Sequence, residues 1–380
     1  MNSKLLFYTL LFFIFFSCTN TPTSDKDYPI LKVSLEETNT SLYDIFEKVE
    51  IIPLETIESS LIKDIRKVYY YDGKYYVYDD DLNALFFFSD TGSFIDKIHR
   101  IGNGPGEYRY IYDFHIDTVQ HQIEMLSPFG AIFCYNFDGI FIKKINLPNP
   151  PPSYWYIRQF DEHNYIFWSP IFPPLNIISK EDGTIKSFTY EENDILNTYM
   201  GEVFHNDEHG NMYFMRPFLN EVFRITIDGL ETAYTWDFGK ETIDVSKYKF
   251  PDTGDVNEDA KIFRQMYNEG SISKITYNFV YQYQTDSYYY ANMRFAFNKR
   301  KHLFYNKATE KYSLFEKTTE GVQIARPLYV CNDFMISALD YENKASFANV
   351  LDAKNKEILD NFKDDDNPCL VKLVFKKTIK

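Results

Sequence analysis

A short turn recurs along this chain at nearly constant spacing, and that period limits what the chain can fold into. It appears as Asp90-Thr91-Gly92, Asn136-Phe137-Asp138-Gly139, Lys180-Glu181-Asp182-Gly183 and Thr226-Ile227-Asp228-Gly229, with steps of about 48, 44 and 46 residues. Two copies without glycine follow, at Lys307 to Lys311 and at Asp352 to Lys356, after steps of about 81 and 44 residues. A period of roughly 40 to 50 residues is that of a four-stranded propeller blade. The long step equals one blade plus an insertion, placed at about 240–273. There Asp255 offers a helix cap, and Ile262, Phe263, Met266 and Tyr267 form an apolar stripe at helical spacing.

The spacing predicts six blades, an all-β six-bladed β-propeller over residues 43–376. The first blade can be read strand by strand: Ile65 to Tyr71, a turn at Asp72-Gly73, a strand to Tyr78, a turn through Asp79-Asp80-Asp81, a strand to Ser89, and Phe94 to His99. The composition agrees, since 32 Tyr and 35 Phe bring the aromatic share to 18%, and aromatic residues suit pleated, half-buried strands. A blade ring is stable only when closed. Val49 to Leu54 near the start and Leu370 to Phe375 at the end are spare strands that would complete the sixth blade together.

Residues 1–17 carry one cation, Lys4, then the apolar run Leu5 to Phe16, and end at Ser17 before Cys18. A run this short is an export signal rather than a bilayer span, which needs roughly 20 residues. The small residue before Cys18 is similar to a bacterial lipoprotein signal, with Cys18 lipidated and residues 18–42 including a flexible tether. Phe15, where that signal usually has an aliphatic residue, departs from the pattern, and the alternative is a plain secretory signal with an incidental cysteine. Export would place the protein in the periplasm or at the outer membrane. Cys134, Cys331 and Cys369 remain: Cys331 and Cys369 form a disulfide, or all three stay reduced.

The formal net charge of −15 repels phosphate polymers, which argues against nucleic acid as a partner and leaves a lipid anchor as the only membrane contact. Closed rings need no second copy, so a monomer is expected.

The run Ile101-Gly102-Asn103-Gly104-Pro105-Gly106-Glu107-Tyr108 resembles the signature of NHL-type propeller repeats. With the lipoprotein-like start and the early Ile52-Pro53-Leu54-Glu55-Thr56, the whole chain resembles the six-bladed β-propeller lipoproteins of Bacteroidetes. That resemblance implies the fold and an envelope location and no particular reaction. The glycines suit a tight crossover between blades. Neither a Lys-Ser/Thr pair nor a helix pattern follows them, so they do not read as a phosphate loop.

Polar residues on the innermost strands should converge on the central channel. The ligand-binding candidates there are Arg66, Asp113, His115, Arg158, His205 and Arg326, which would clamp a polar ligand or else satisfy one another or hold channel water, together with Arg216 and Arg294 after aromatic strands, where a guanidinium fork suits a carboxylate or pairs with one of the chain's acidic side chains. Lys67, Tyr277 and Asn278 fall on the same strands. His115 and His205 have similar surroundings and would be the ligands if a divalent metal sat on the axis, although no third blade supplies a matching histidine. Trp155, Tyr156 and Trp168 are candidates for stacking on sugar rings. Asp79 to Asp81 and Asp364 to Asp366 read as solvated turns, because the alternation of a calcium loop is missing. No Gly-x-Ser-x-Gly elbow occurs.

The resulting expectation is a non-catalytic envelope module that recognises a glycan, peptide or protein partner on a propeller face, without a cofactor. The alternative is a metal-dependent hydrolase or lyase using the channel histidines. A structural subunit docking through the insertion is a further reading.

Overall fold

The computed structural model describes residues 28–147, 154–169, 174–188, 202–244, 277–295 and 299–377, and within the insertion only 253, 255, 257, 258 and 261. The chain opens with β1 (Ile30–Lys32), α1 (Leu42–Ile45) and β2 (Phe46–Pro53). Blade 1 is β3 (Lys67–Tyr71), β4 (Lys74–Asp79), β5 (Ala84–Ser89) and β6 (Phe94–Ile98). Blade 2 is β7 (Asp113–Asp117), β8 (Gln122–Ser127), β9 (Ala131–Tyr135) and β10 (Phe141–Asn146). Blade 3 is β11 (Tyr156–Gln159), β12 (Asn164–Trp168), β13 (Leu175–Ser179) and β14 (Ile185–Phe188). Blade 4 is β15 (Phe204–Asn206), β16 (Met212–Phe214), β17 (Glu221–Thr226) and β18 (Gly229–Asp237). Blade 5 is β19 (Tyr277–Gln284), β20 (Tyr288–Phe295), β21 (Arg300–Asn306) and β22 (Tyr312–Phe315). Blade 6 is β23 (Pro327–Val330), β24 (Phe334–Leu339) and β25 (Cys369–Phe375), with α2 (Ala353–Asn361) between the last two strands. Its fourth strand is β2. The expected six-bladed propeller is what the chain forms.

Each junction between blades has its own apolar core, and together these cores close the ring. In blade 1, Tyr76, Tyr78, Leu85 and Phe87 pack towards blade 2, while Tyr75, Val77, Phe86 and Phe88 pack towards blade 6. A strand covered on both faces needs apolar residues at successive positions, which is why β4 and β5 read as unbroken aromatic runs. The outermost strands face water on their far side, and β10 carries exposed Ile142, Lys143 and Lys144.

Closure follows the expected scheme. β2 lies antiparallel to β25, with Val49 opposite Leu373, Ile51 opposite Val371 and Pro53 opposite Cys369. Pro53 has no N–H to donate and sits at the end of an outer strand, where such a residue is tolerated.

Two readings of the sequence change. The weak turn at Asp352 to Lys356 is instead the start of α2: Asp352 is its N-cap, accepting from the Asn355 amide at 2.8 Å. Blade 6 has no turn between its third and fourth strands, because its fourth strand comes from the start of the chain. Residues 30–42, read as part of a tether, are built into the outer wall. β1 pairs in parallel with β18, and Leu31, Val33 and Leu35 are buried between blades 4 and 5. Thr38 then exchanges hydrogen bonds with Leu314 of blade 5, and α1 carries the chain into β2. Most of the insertion lies outside the described residues, as do its stripe residues Ile262, Phe263, Met266 and Tyr267; Asp255 does accept from the Asn257 amide at 2.8 Å. Among the described residues no helix is long and apolar enough to cross a membrane.

Candidate functional site: the central channel

All six blades contribute to a cavity of about 480 Å3 on the ring axis. The innermost strands place side chains there because they stand nearest the axis and alternate between it and the blade packing. Arg66, Asp113, His115, Arg158 and His205 all line the cavity, as the sequence led one to expect.

What the sequence did not reveal is how the charges pair. Lys67 of blade 1 donates to Asp113 of blade 2 at 2.7 Å, and Arg158 of blade 3 binds the other Asp113 oxygen at 2.5 Å. Arg158 also pairs with Glu202, which precedes blade 4. The result is a ladder of alternating sign across four blades. Asp113 is 2% exposed and also accepts from the Ile157 amide at 3.0 Å. Burial pushes its pKa up, but Arg158 and Lys67 outweigh that and hold it below the usual carboxylate range. Burial likewise opposes the charge on Arg158, and Asp113 and Glu202 overcome it, raising its pKa.

Glu202 was missed, although a signal exists. Lys67, Asp113 and Arg158 lie 46 and 45 residues apart, one blade period, and Glu202 follows at about the same step.

The remaining wall is mixed: Tyr69, Tyr156, Tyr281, Tyr283 and Tyr329 line the cavity beside Arg66, Asp207 and Glu208. Blade 5 therefore presents Tyr281 and Tyr283 rather than Tyr277 and Asn278. Tyr277 is buried against blade 4, donating to the Asn220 side chain at 2.9 Å.

His115 and His205 share the cavity. Burial lowers both pKa values to about 3, with Arg158 and Lys67 adding to the effect at His115, so both are neutral near pH 7. His205 stacks on Tyr213 with ring centroids 5.0 Å apart, and neither of its ring nitrogens has a hydrogen-bond partner. Neutral imidazoles suit metal ligation, but among the described residues no three His, Cys, Asp or Glu side chains are grouped to hold an ion.

The other candidates lie off the cavity wall. Arg326 donates to the carbonyls of Ile65 at 2.6 Å and Arg66 at 3.2 Å and to the Tyr281 hydroxyl at 2.9 Å, joining blades 5, 6 and 1. Arg216 is 2% exposed, just beyond β16, and Arg294 lies on β20. Trp168 offers no open face to a sugar ring: it is buried in the core between blades 3 and 4, and Trp155 packs edge-on against it. Tyr156 alone of those three reaches the channel. Cys134, Cys331 and Cys369 are all free thiols.

The glycine motif is a crossover between blades 1 and 2. Gly106 has φ +73, and a Cβ there would come within 2.5 Å of the Phe141 ring. Tyr135 and Tyr108 donate to the carbonyls of Gly106 and Asn83 at 2.7 and 2.8 Å.

In shape the chain is similar to a Bacteroides fragilis protein described as a candidate exported protein, with TM-score 0.73, 18% identity, and coverage of 92% of this chain and 100% of that one. It is also similar to a DUF4221 family member from Bacteroides vulgatus, with TM-score 0.53, 12% identity, and coverage of 87% and 97%. At such identities the likeness concerns the fold alone. No curated protein matches in sequence. The profile of the family described as a domain of unknown function, DUF4934, matches residues 29–373, from β1 through all six blades, and the chain belongs to that family.

Proposed function

We propose that the protein is an exported, lipid-anchored, non-catalytic binding module whose central channel takes a neutral, hydroxyl-rich ligand, a glycan before a peptide or protein segment. The observation that carries this reading is that the channel charges neutralise one another along Lys67, Asp113, Arg158 and Glu202. Of the other charged residues lining the cavity, Asp207 accepts from Asn211 and Tyr213 and Glu208 from the Asn332 amide, so beside these and Arg66 a ligand meets tyrosine rings and hydroxyls and the unpartnered nitrogens of His205. Aromatic faces with few polar anchors suit sugar rings. Export is supported by the leader and by the description of the Bacteroides fragilis neighbour; the anchor rests on Cys18.

The test is a thermal-shift titration of the purified protein with an oligosaccharide panel and a peptide panel. A glycan at 100 times its Kd should add about 2.7 kcal/mol, the increment should vanish in His205→Phe, and the glycan should be recovered unchanged. Recovery of a cleaved product would refute the non-catalytic reading, and silence to every glycan would refute the glycan assignment. Palmitate labelling that survives Cys18→Ala would refute the anchor.

A further inference from the structure

The junction between blades 5 and 6 holds an arrangement of charge that the channel reading leaves unexplained. Arg294 on β20 and Arg300 on β21 are direct partners in the antiparallel ladder. Both project towards blade 6, because Tyr290 and Phe304 at even-numbered positions of the same strands belong to the core shared with blade 6. Like charges directly opposite one another across a ladder are destabilising, and both side chains are half-buried.

Neither arginine has a carboxylate partner among the described residues. The Nε of Arg294 is buried without a hydrogen bond. Arg326 reaches the same region through Tyr281. Its bonds go to carbonyl and hydroxyl oxygens, so its charge is not cancelled by them. The pKa of Arg300 is lowered by burial and then by the positive charges of Arg294 and Arg326, as expected when cations crowd one another. In a chain of net charge −15, a half-buried cluster of three cations without an acid is an energetic cost unless an anion offsets it.

We infer that Arg294, Arg300 and Arg326 form a binding site for an oxyanion, a carboxylate, sulfate or phosphate group, at the blade 5–6 junction. Guanidinium forks match the paired oxygens of such groups. The site borders the channel at Tyr281, which lines the cavity and accepts from Arg326, while Arg294 and Arg300 stand at the end of blade 5 away from Gln284, since β20 runs from the Thr285–Tyr288 turn to Arg294.

Isothermal titration calorimetry of the intact protein with sodium sulfate, sodium phosphate and sodium glucuronate, at fixed ionic strength, tests this. Saturable binding of at least one anion is expected, weakened tenfold or more in Arg294→Gln and Arg300→Gln and unchanged in Arg224→Gln, whose surface pair with Glu231 lies elsewhere. Which anion binds identifies the group. Without anion, Arg300→Gln should melt no lower than the wild type, because it removes a repulsion; Arg300→Lys, which keeps the charge and loses the fork, should also weaken binding. Absence of saturable binding by all three anions overturns the inference, as does equal affinity in the wild type and both glutamine variants.

Discussion

Replacing Asp113 by Ala should leave Lys67 and Arg158 facing each other in the channel with only Glu202 between them. Lys67 and Arg158 side chains are 15% and 10% exposed, and Glu202 13%, so water can offset little of the lost pairing. Breaking a buried ion pair from one side costs about 3 to 5 kcal/mol; with Glu202 within 4.0 Å of Lys67 and paired to Arg158, the lower end, about 3 kcal/mol, is expected. Unfolding entropy of about 2.1 cal/mol/K per residue over residues 29–373 sums to about 0.7 kcal/mol/K, so the Tm should fall by about 4 °C. Calorimetry of the wild type, Asp113→Ala, Lys67→Met and the double variant measures both the loss and the coupling. The double variant should recover at least 1 kcal/mol relative to additivity. If the single losses stay below about 1 kcal/mol and simply add, the ladder behaves as a solvated surface pair, and the claim that the channel charges are sequestered fails.

His302 is 1% exposed, with one ring nitrogen 2.9 Å from the Tyr290 hydroxyl and the other 3.0 Å from the Ile324 carbonyl. Burial lowers its pKa from 6.5 to about 4. The unfolded chain therefore takes up its proton first as pH falls, so this stabilisation is complete above about pH 6.5 and is lost progressively towards pH 4, reaching about 2 kcal/mol by pH 5. Guanidinium unfolding at pH 7.5 and 5.0 should show His302→Gln losing about 2 kcal/mol less than the wild type between the two; equal losses would rule the histidine out. Leu31→Asp should detach β1 from β18 and cost about 3 kcal/mol, because a charge replaces a core leucine. An unchanged Tm would mean that the wall segment contributes nothing to the ring.

The parts of the fold that were legible are those set by short-range chemistry. Blade 1 could be traced because Asp72-Gly73 and Thr91-Gly92 are turn pairs between aromatic runs, and both Asp72 and Gly92 do take positive φ. The sixth turn was misread because Asp followed by Lys and Asn suits a helix cap as well as a hairpin, and Asn355 is held by Asp352 in the former way. The role of residues 30–42 was hidden for another reason. A three-residue strand such as Ile30–Lys32 has no local signature, and its partner Thr235 to Asp237 is remote in the chain. In blade 5, counting from the start of β19 pointed to Tyr277 and Asn278, but that strand is eight residues long with a bulge between Phe279 and Tyr281, which moves the channel positions further along.

The ladder itself shows what a period can encode beyond a blade count. In a propeller, positions one period apart occupy equivalent places in adjacent blades and so lie side by side around the channel. A residue near the start of an innermost strand thus has its partner about 45 residues away rather than three or four, the spacing that matters on a helix. Lys67, Asp113, Arg158 and Glu202 alternate in sign at that step, so each of these four charges finds its opposite on the next blade. Arg294 and Arg300 break the pattern, since they repeat one sign within a single blade and meet across one hairpin. Among the described residues no carboxylate offsets Arg294 and Arg300 in this way, and that contrast is the ground on which we propose an uncharged ligand for the first site and an anion for the second.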